Sequence, residues 1–128
     1  MSDLREEGRK YSFCGREYHL LMTVNVIDQI QERFDRSIMQ LGELLDRNRL
    51  DFYGNVAAIM TILLNEAIEI ENEKNGTDFP LFTEKKVRRH ISNLNVIDAF
   101  VAISETYSLS FLKKEEDDIS SPNRESGK

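Results

Sequence analysis

The side chains able to do chemistry are few and scattered. Cys14 and His19 lie five residues apart, and His90 is the second histidine, far along the chain. A thiolate nucleophile needs a base and a group that orients the base. Catalytic zinc takes three protein ligands and structural zinc four. Cys14 with His19 meets neither requirement, so Cys14 reads as a half-buried small hydrophobe. Glu66, Glu69 and Glu73 share one helical face and read as solvated surface. No Glu-x-x-His pair follows on any helical segment, which removes the usual di-iron bundle. The six glycines are dispersed, and none builds a phosphate-cradling loop. The expectation is a protein without enzymatic activity, cofactor or metal.

Lys85, Lys86, Arg88, Arg89 and His90 form the one basic cluster. A basic helix over 84–91, a short turn and a longer helix would fit a helix-turn-helix, and a small DNA-binding regulator is the alternative reading. The second helix, however, opens on Val96, Ile97, Asp98, Ala99 and Phe100. Those residues cannot contact an array of base edges and phosphates. Seventeen Lys and Arg against twenty-three Asp and Glu give a net charge of -6, which opposes bulk attraction to nucleic acid or anionic membrane. The cluster reads better as a solvated face or a patch for an acidic protein partner.

These residues must be positioned by a mainly α (α+β) fold. With 128 residues, 40% hydrophobic and 31% charged, the chain suits one globular domain with a real core. Tyr11 and Phe13, then Tyr18 and Leu20, alternate around Gly15-Arg16 and predict a short N-terminal β-hairpin. Thr23 is placed to cap a helix carrying Val24, Ile27, Ile30 and Phe34, and Asp35 to begin a second with Ile38, Leu41 and Leu45. Asp51 is placed to cap a central helix to Asn75, with the stripe Phe52, Val56, Ile59, Met60, Leu63, Ala67 and Ile70, ended by Gly76. Thr83 caps the basic helix, with Phe82 and Val87 spaced as a hydrophobic staple. Asn93 or Asn95 starts a last helix with Val96, Phe100, Ile103, Tyr107 and Phe111 inward. The expectation is a four- to five-helix domain over 10–114, a flexible N-terminus over 1–9, and a disordered acidic tail over 115–128. The longest apolar run, Val56 to Leu64, is too short to span a bilayer, and the N-terminus lacks a signal-peptide core. A single cysteine points to a reducing, cytoplasmic setting.

The order of these parts resembles the tail assembly chaperones of long-tailed phages and prophages of Gram-positive bacteria. The similarity lies in the aromatic strand, Gly15-Arg16-Glu17-Tyr18, the helix from Thr23 to Phe34, the small-residue-rich Asn55-Val56-Ala57-Ala58-Ile59-Met60, and the late Thr83-Glu84-Lys85-Lys86. It covers roughly Tyr11 to Phe111, and the late helix departs in being more basic. The resemblance implies a non-enzymatic protein of the bacterial host cytoplasm. It would bind the tape-measure protein, a long aggregation-prone helical chain, before tail-tube subunits polymerise around it. The tail-tube protein is a further expected partner, and self-association into a homo-oligomer is compatible. For a chaperone of this kind, the expected partner surface is the apolar end of the last helix, Leu109, Phe111 and Leu112. Leu112-Lys113-Lys114 can also be encoded by an adenine run that suits the ribosomal slippage some members use.

Overall fold

A computed structural model of the chain describes residues 8–111. Leu112, the expected tail over 115–128 and all but the last two residues of the expected flexible N-terminus lie outside them. The strand β1 (Arg9–Phe13) pairs antiparallel with β2 (Arg16–Leu20), with Tyr11 opposite Tyr18 and Phe13 opposite Arg16. Five helices follow: α1 (Val24–Phe34), the short α2 (Leu41–Leu44), α3 (Phe52–Asn75), α4 (Glu84–His90) and α5 (Val96–Ser110). A 3-10 turn over Ile38–Gln40 leads into α2.

Alternation along the hairpin decides which face is buried. Phe13, Tyr18 and Leu20 are buried, while Ser12, Glu17 and His19 on the opposite face are exposed. The two-residue turn is Cys14-Gly15, one residue earlier than the sequence suggested, and both residues have positive φ, 51° and 80°. A turn of this kind matches the twist of the strands, and its second position is ideal for glycine. Cys14 is therefore exposed at the tip, not half-buried as its type suggests.

α3 is the centre. Val56, Ile59, Met60, Leu63 and Leu64 are fully buried in it, and α1, α4, α5 and β2 all pack against it. Its buried hydroxyl, Thr61, is satisfied by donating to the Ala57 carbonyl at 2.7 Å. Buried Asn55 donates to the Leu44 carbonyl at 2.9 Å and so fastens the end of α2 to the core. Gly76 ends α3 in the left-handed conformation, as its type predicts.

The expected caps hold in part. The hydroxyls of Thr23 and Thr83 accept from the Val26 and Lys86 amides, both at 3.1 Å. Asp35 does not begin a helix. It closes α1 with φ 55°, and Ser37 starts the next turn instead. The Ser37 hydroxyl accepts from the Met39 amide, and the Gln40 side-chain oxygen accepts from the Ser37 amide. Asp51 precedes α3 without capping it, because its carboxylate is taken by Arg49 at 2.8 Å. α5 is rotated relative to the expected inner stripe. Its buried residues are Val96, Ala99, Ala102, Ile103 and Thr106, whereas Phe100, Tyr107 and Phe111 are half-buried. Small side chains face α3, and the aromatics flank the contact.

Candidate functional site

The rotation of α5 leaves apolar residues on its outward side. At about 100° per residue, Ile97, Val101, Ser104, Ser108 and Phe111 follow one another in steps of four, three, four and three. This is the seam spacing of a helix that receives another helix. It lies opposite the buried Ala99, Ala102 and Thr106. Ile97 is 36% and Val101 37% exposed, and Leu94, in the turn before the helix, is 95% exposed. Only two of the fifteen residues of α5, Asp98 and Glu105, are charged. Ser104, Ser108 and Phe111 are half-buried, so the exposed part of the stripe is Ile97 and Val101, with Val101 also bordering a cleft beside β1.

Of the expected partner residues, Phe111 sits at the far end of the seam, Leu109 lies about 100° round the helix from Ser108, and Leu112 falls outside the described residues. Leu109 and Phe111 are half-buried. The Phe111 ring lies 4.7 Å from that of Tyr107, whose hydroxyl donates to Met39 Sδ at 3.6 Å. Phe111 thus belongs both to the core margin and to the seam. Sequence reading looked for leftover apolar residues at the end of α5. It missed Ile97 and Val101, although a second stripe on a helix already supplied with an inner one was the available signal.

The start of α5 meets α3 and α4 through Val96 and Phe100. Phe52 and Phe100 pack edge to face at 6.0 Å, and exposed Tyr53 lies beside Phe52 at 5.4 Å. A cleft of about 190 Å³ between Tyr53, Gly54, Arg88 and Val96 joins the three helices. The Arg88 guanidinium lies over Gly54, where a Cβ would come within 3.1 Å of its Nη2. Of the basic cluster, Lys86 is turned toward the Phe82 ring, 5.4 Å away, and the Lys86 carbonyl lies 2.9 Å from His90 Nδ1. Lys85 and Arg89 are exposed.

The α3–α4 connection is tied down by two asparagines. Asn65 Nδ2 donates to the Phe82 carbonyl at 2.9 Å, and its Oδ1 accepts from the Phe82 amide at 2.8 Å. Asn72 treats Phe79 the same way, at 3.1 and 3.0 Å. Seven residues of helix rise about 10.5 Å, and three residues of extended chain span about 9–10 Å. The two intervals match, so residues 79–82 form a strap along α3. Glu66 works similarly at the other flank, accepting from Thr23 Oγ1 at 2.7 Å and Asn25 Nδ2 at 2.8 Å. It is a tether for the start of α1, not the plain solvated carboxylate its spacing suggested. Arg16 fastens the hairpin to the same helix, bonding Glu71 at 2.7 Å and lying 4.4 Å from the Phe79 ring.

The titratable side chains do not assemble into a reactive centre. Cys14 and His90 border one cleft of about 550 Å³ between β1 and α5, together with Arg9, Tyr11, Asp98 and the seam residue Val101. His19 lies on the other face of the hairpin, 3.5 Å from Glu17, so it does not serve Cys14 as a base. Burial, then the Asp98 carboxylate, raises the Tyr11 phenol above its usual range. Arg9 is held by Glu105 at 2.8 Å. Among the described residues no group of three or more His, Cys, Asp or Glu is placed to hold a metal ion. No helix among them is long and apolar enough to cross a membrane. Compared with protein-family models, curated proteins and solved structures, the chain matches none.

Proposed function

We propose that this chain is a non-enzymatic chaperone of phage tail assembly that holds amphipathic helical segments of a tape-measure protein on the outer face of α5. The observation that carries the reading is the pair Ile97 and Val101, exposed one turn apart on a helix with two charges and in line with half-buried Phe111. An amphipathic client helix can lay its apolar face along such a stripe. The seam is narrow, and its middle positions, Ser104 and Ser108, are small and polar. Each contact is therefore modest, and many copies along one long client would supply the hold. A net charge of -6 keeps crowded copies apart.

The α4–α5 pair gives less support to a DNA reader. Glu84, at the start of α4, accepts from Arg33 at 3.1 Å and lies 3.8 Å from Arg88, and α5 opens on apolar side chains and Asp98. Co-expression tests the chaperone reading. A tape-measure segment from the same genome should stay in the clarified lysate and co-purify when this chain is present, and pellet when it is absent. A client equally insoluble in both cases would sink the proposal.

A further inference from the structure

We infer that the free edge of β1 takes up one extended peptide segment as an antiparallel third strand, in the cleft toward α5, with a basic side chain of that segment meeting Asp98. This goes beyond the chaperone reading and does not rest on it. The sheet has two strands, so each has one strand partner. The two-residue turn Cys14-Gly15 closes on Phe13 and Arg16, which exchange both main-chain hydrogen bonds. By alternation Tyr11 with Tyr18 and Arg9 with Leu20 do the same. The amides and carbonyls of Lys10 and Ser12 therefore point away from β2. The Lys10 carbonyl accepts from Arg9 Nη1 at 2.8 Å, and the same guanidinium bonds Glu105 of α5 at 2.8 Å. The free edge thus faces α5. The Ser12 amide and carbonyl and the Lys10 amide have no partner among the described residues.

The cleft of about 550 Å³ runs along this edge. Successive residues of a strand point to opposite faces, yet Tyr11, Ser12 and Phe13 all border the cleft and no residue of β2 does. An opening meets both faces of one strand at the strand's edge. Asn95, Asp98 and Val101, on one flank of α5, form the far wall. An open edge is a template for another strand, and main-chain hydrogen bonds supply the affinity when one is added. The width of the cleft selects the occupant. One guanidinium bridges the Lys10 carbonyl and Glu105, so the gap admits a single strand about 4.8 Å from β1. A second copy of this chain would bring β2 with its β1 and meet α5. On an added strand, the residue opposite Ser12 points outward with it, and its two neighbours point inward beside Tyr11 and Phe13. Asp98 is exposed on the wall facing Tyr11 and has no cation partner among the described residues. A Lys or Arg beside Tyr11 supplies that partner, and an apolar residue beside Phe13 meets its ring.

A capped peptide, Thr-Val-Thr-Lys-Thr, of ordinary strand length, tests this on the full chain by NMR. Its central Thr falls opposite Ser12, its Val beside Phe13 and its Lys beside Tyr11. At saturating peptide, exchange of the Ser12 and Lys10 amides should slow at least about fivefold, while Tyr11 and Phe13, already bonded to β2, change little. N-methylation of the central Thr removes a main-chain donor and should weaken binding at least about tenfold. Ser12→Pro should weaken it as much. Pro is tolerated where an edge N–H faces outward, so the hairpin keeps its pairing, and the N-methylated peptide makes the same test on the unaltered chain. Glu in place of the peptide Lys should bind at least about threefold more weakly, and Asp98→Asn should remove that difference. No binding at about 1 mM peptide, unchanged Ser12 exchange in the bound state, full affinity of the N-methylated peptide or of folded Ser12→Pro, or no preference for Lys over Glu would overturn the inference. A Ser12 amide already protected in the free chain would overturn it as well, assigning the edge to a second copy or to the chain's own terminal residues.

Discussion

Asp51 illustrates how a single residue can be read correctly by type and wrongly by role. An aspartate directly before a helix is a good cap candidate, but Arg49, two residues earlier, takes both carboxylate oxygens at 2.8 and 2.9 Å. The hydrogen bonds from Arg49 hold the Asp51 carboxyl down to about 2, against an ordinary 3.8. A depressed folded-state pKa means that the pair contributes above the unfolded value and is lost as pH falls through the folded one. NMR titration of the Asp51 side-chain carbonyl should therefore show a midpoint near 2. Arg49→Ala should return it toward the ordinary value. A midpoint near 3.8 in the wild type would show that the pair is not populated. Arg88 poses the opposite case. Its type and cluster were visible in the sequence, but its place on Gly54 was not, because the contact joins residues 34 positions apart.

At the level of elements, α3 was legible almost whole. Its stripe, its stop at Gly76 and its central place follow from apolar spacing of three and four. Ile59 is fully buried, and Ile59→Ala should lower stability by about 2–5 kcal/mol. A loss below about 0.5 kcal/mol, the range of ordinary surface changes, would mean that the stripe is not core. The hairpin and the Thr23 and Thr83 caps were legible for the same local reasons. The strap was not. Asn65 and Asn72 sit seven residues apart, but asparagines on a helix ordinarily read as solvated, and their partners are backbone atoms that carry no sequence signature. Asn65→Ala removes both bonds to Phe82 and should cost about 1 kcal/mol, a typical net value for lost hydrogen bonds. Hydrogen exchange gives the sharper result: protection of the Phe82 amide should fall, while Phe79, held by Asn72, keeps more of its own. Equal loss at both amides would show one cooperative loop instead of two separate clamps. The face of α5 was legible in part: Val96 and Ile103 are buried, while Phe100, Tyr107 and Phe111 pack at the margin of the core. Packing against α3 instead favours Ala99 and Ala102, which permit close approach, and this turns Ile97 and Val101 outward.

The whole molecule is a single long helix, α3, to which the other parts are fastened by apolar burial and by side-chain tethers from Glu66, Glu71, Asn65 and Asn72. That arrangement leaves Ile97 and Val101 of α5 more than a third exposed. The chaperone reading depends on that exposed pair being where a client binds. Calorimetric titration of a tape-measure segment into wild type and into Ile97→Ser/Val101→Ser tests it most directly. Both positions are more than a third exposed, so the variant should melt near the wild-type temperature. Binding to the wild type and at least about tenfold weaker binding to the variant are expected, as when apolar anchors at the centre of a contact are lost. Unchanged affinity in the folded variant, or no binding to the wild type, would contradict it.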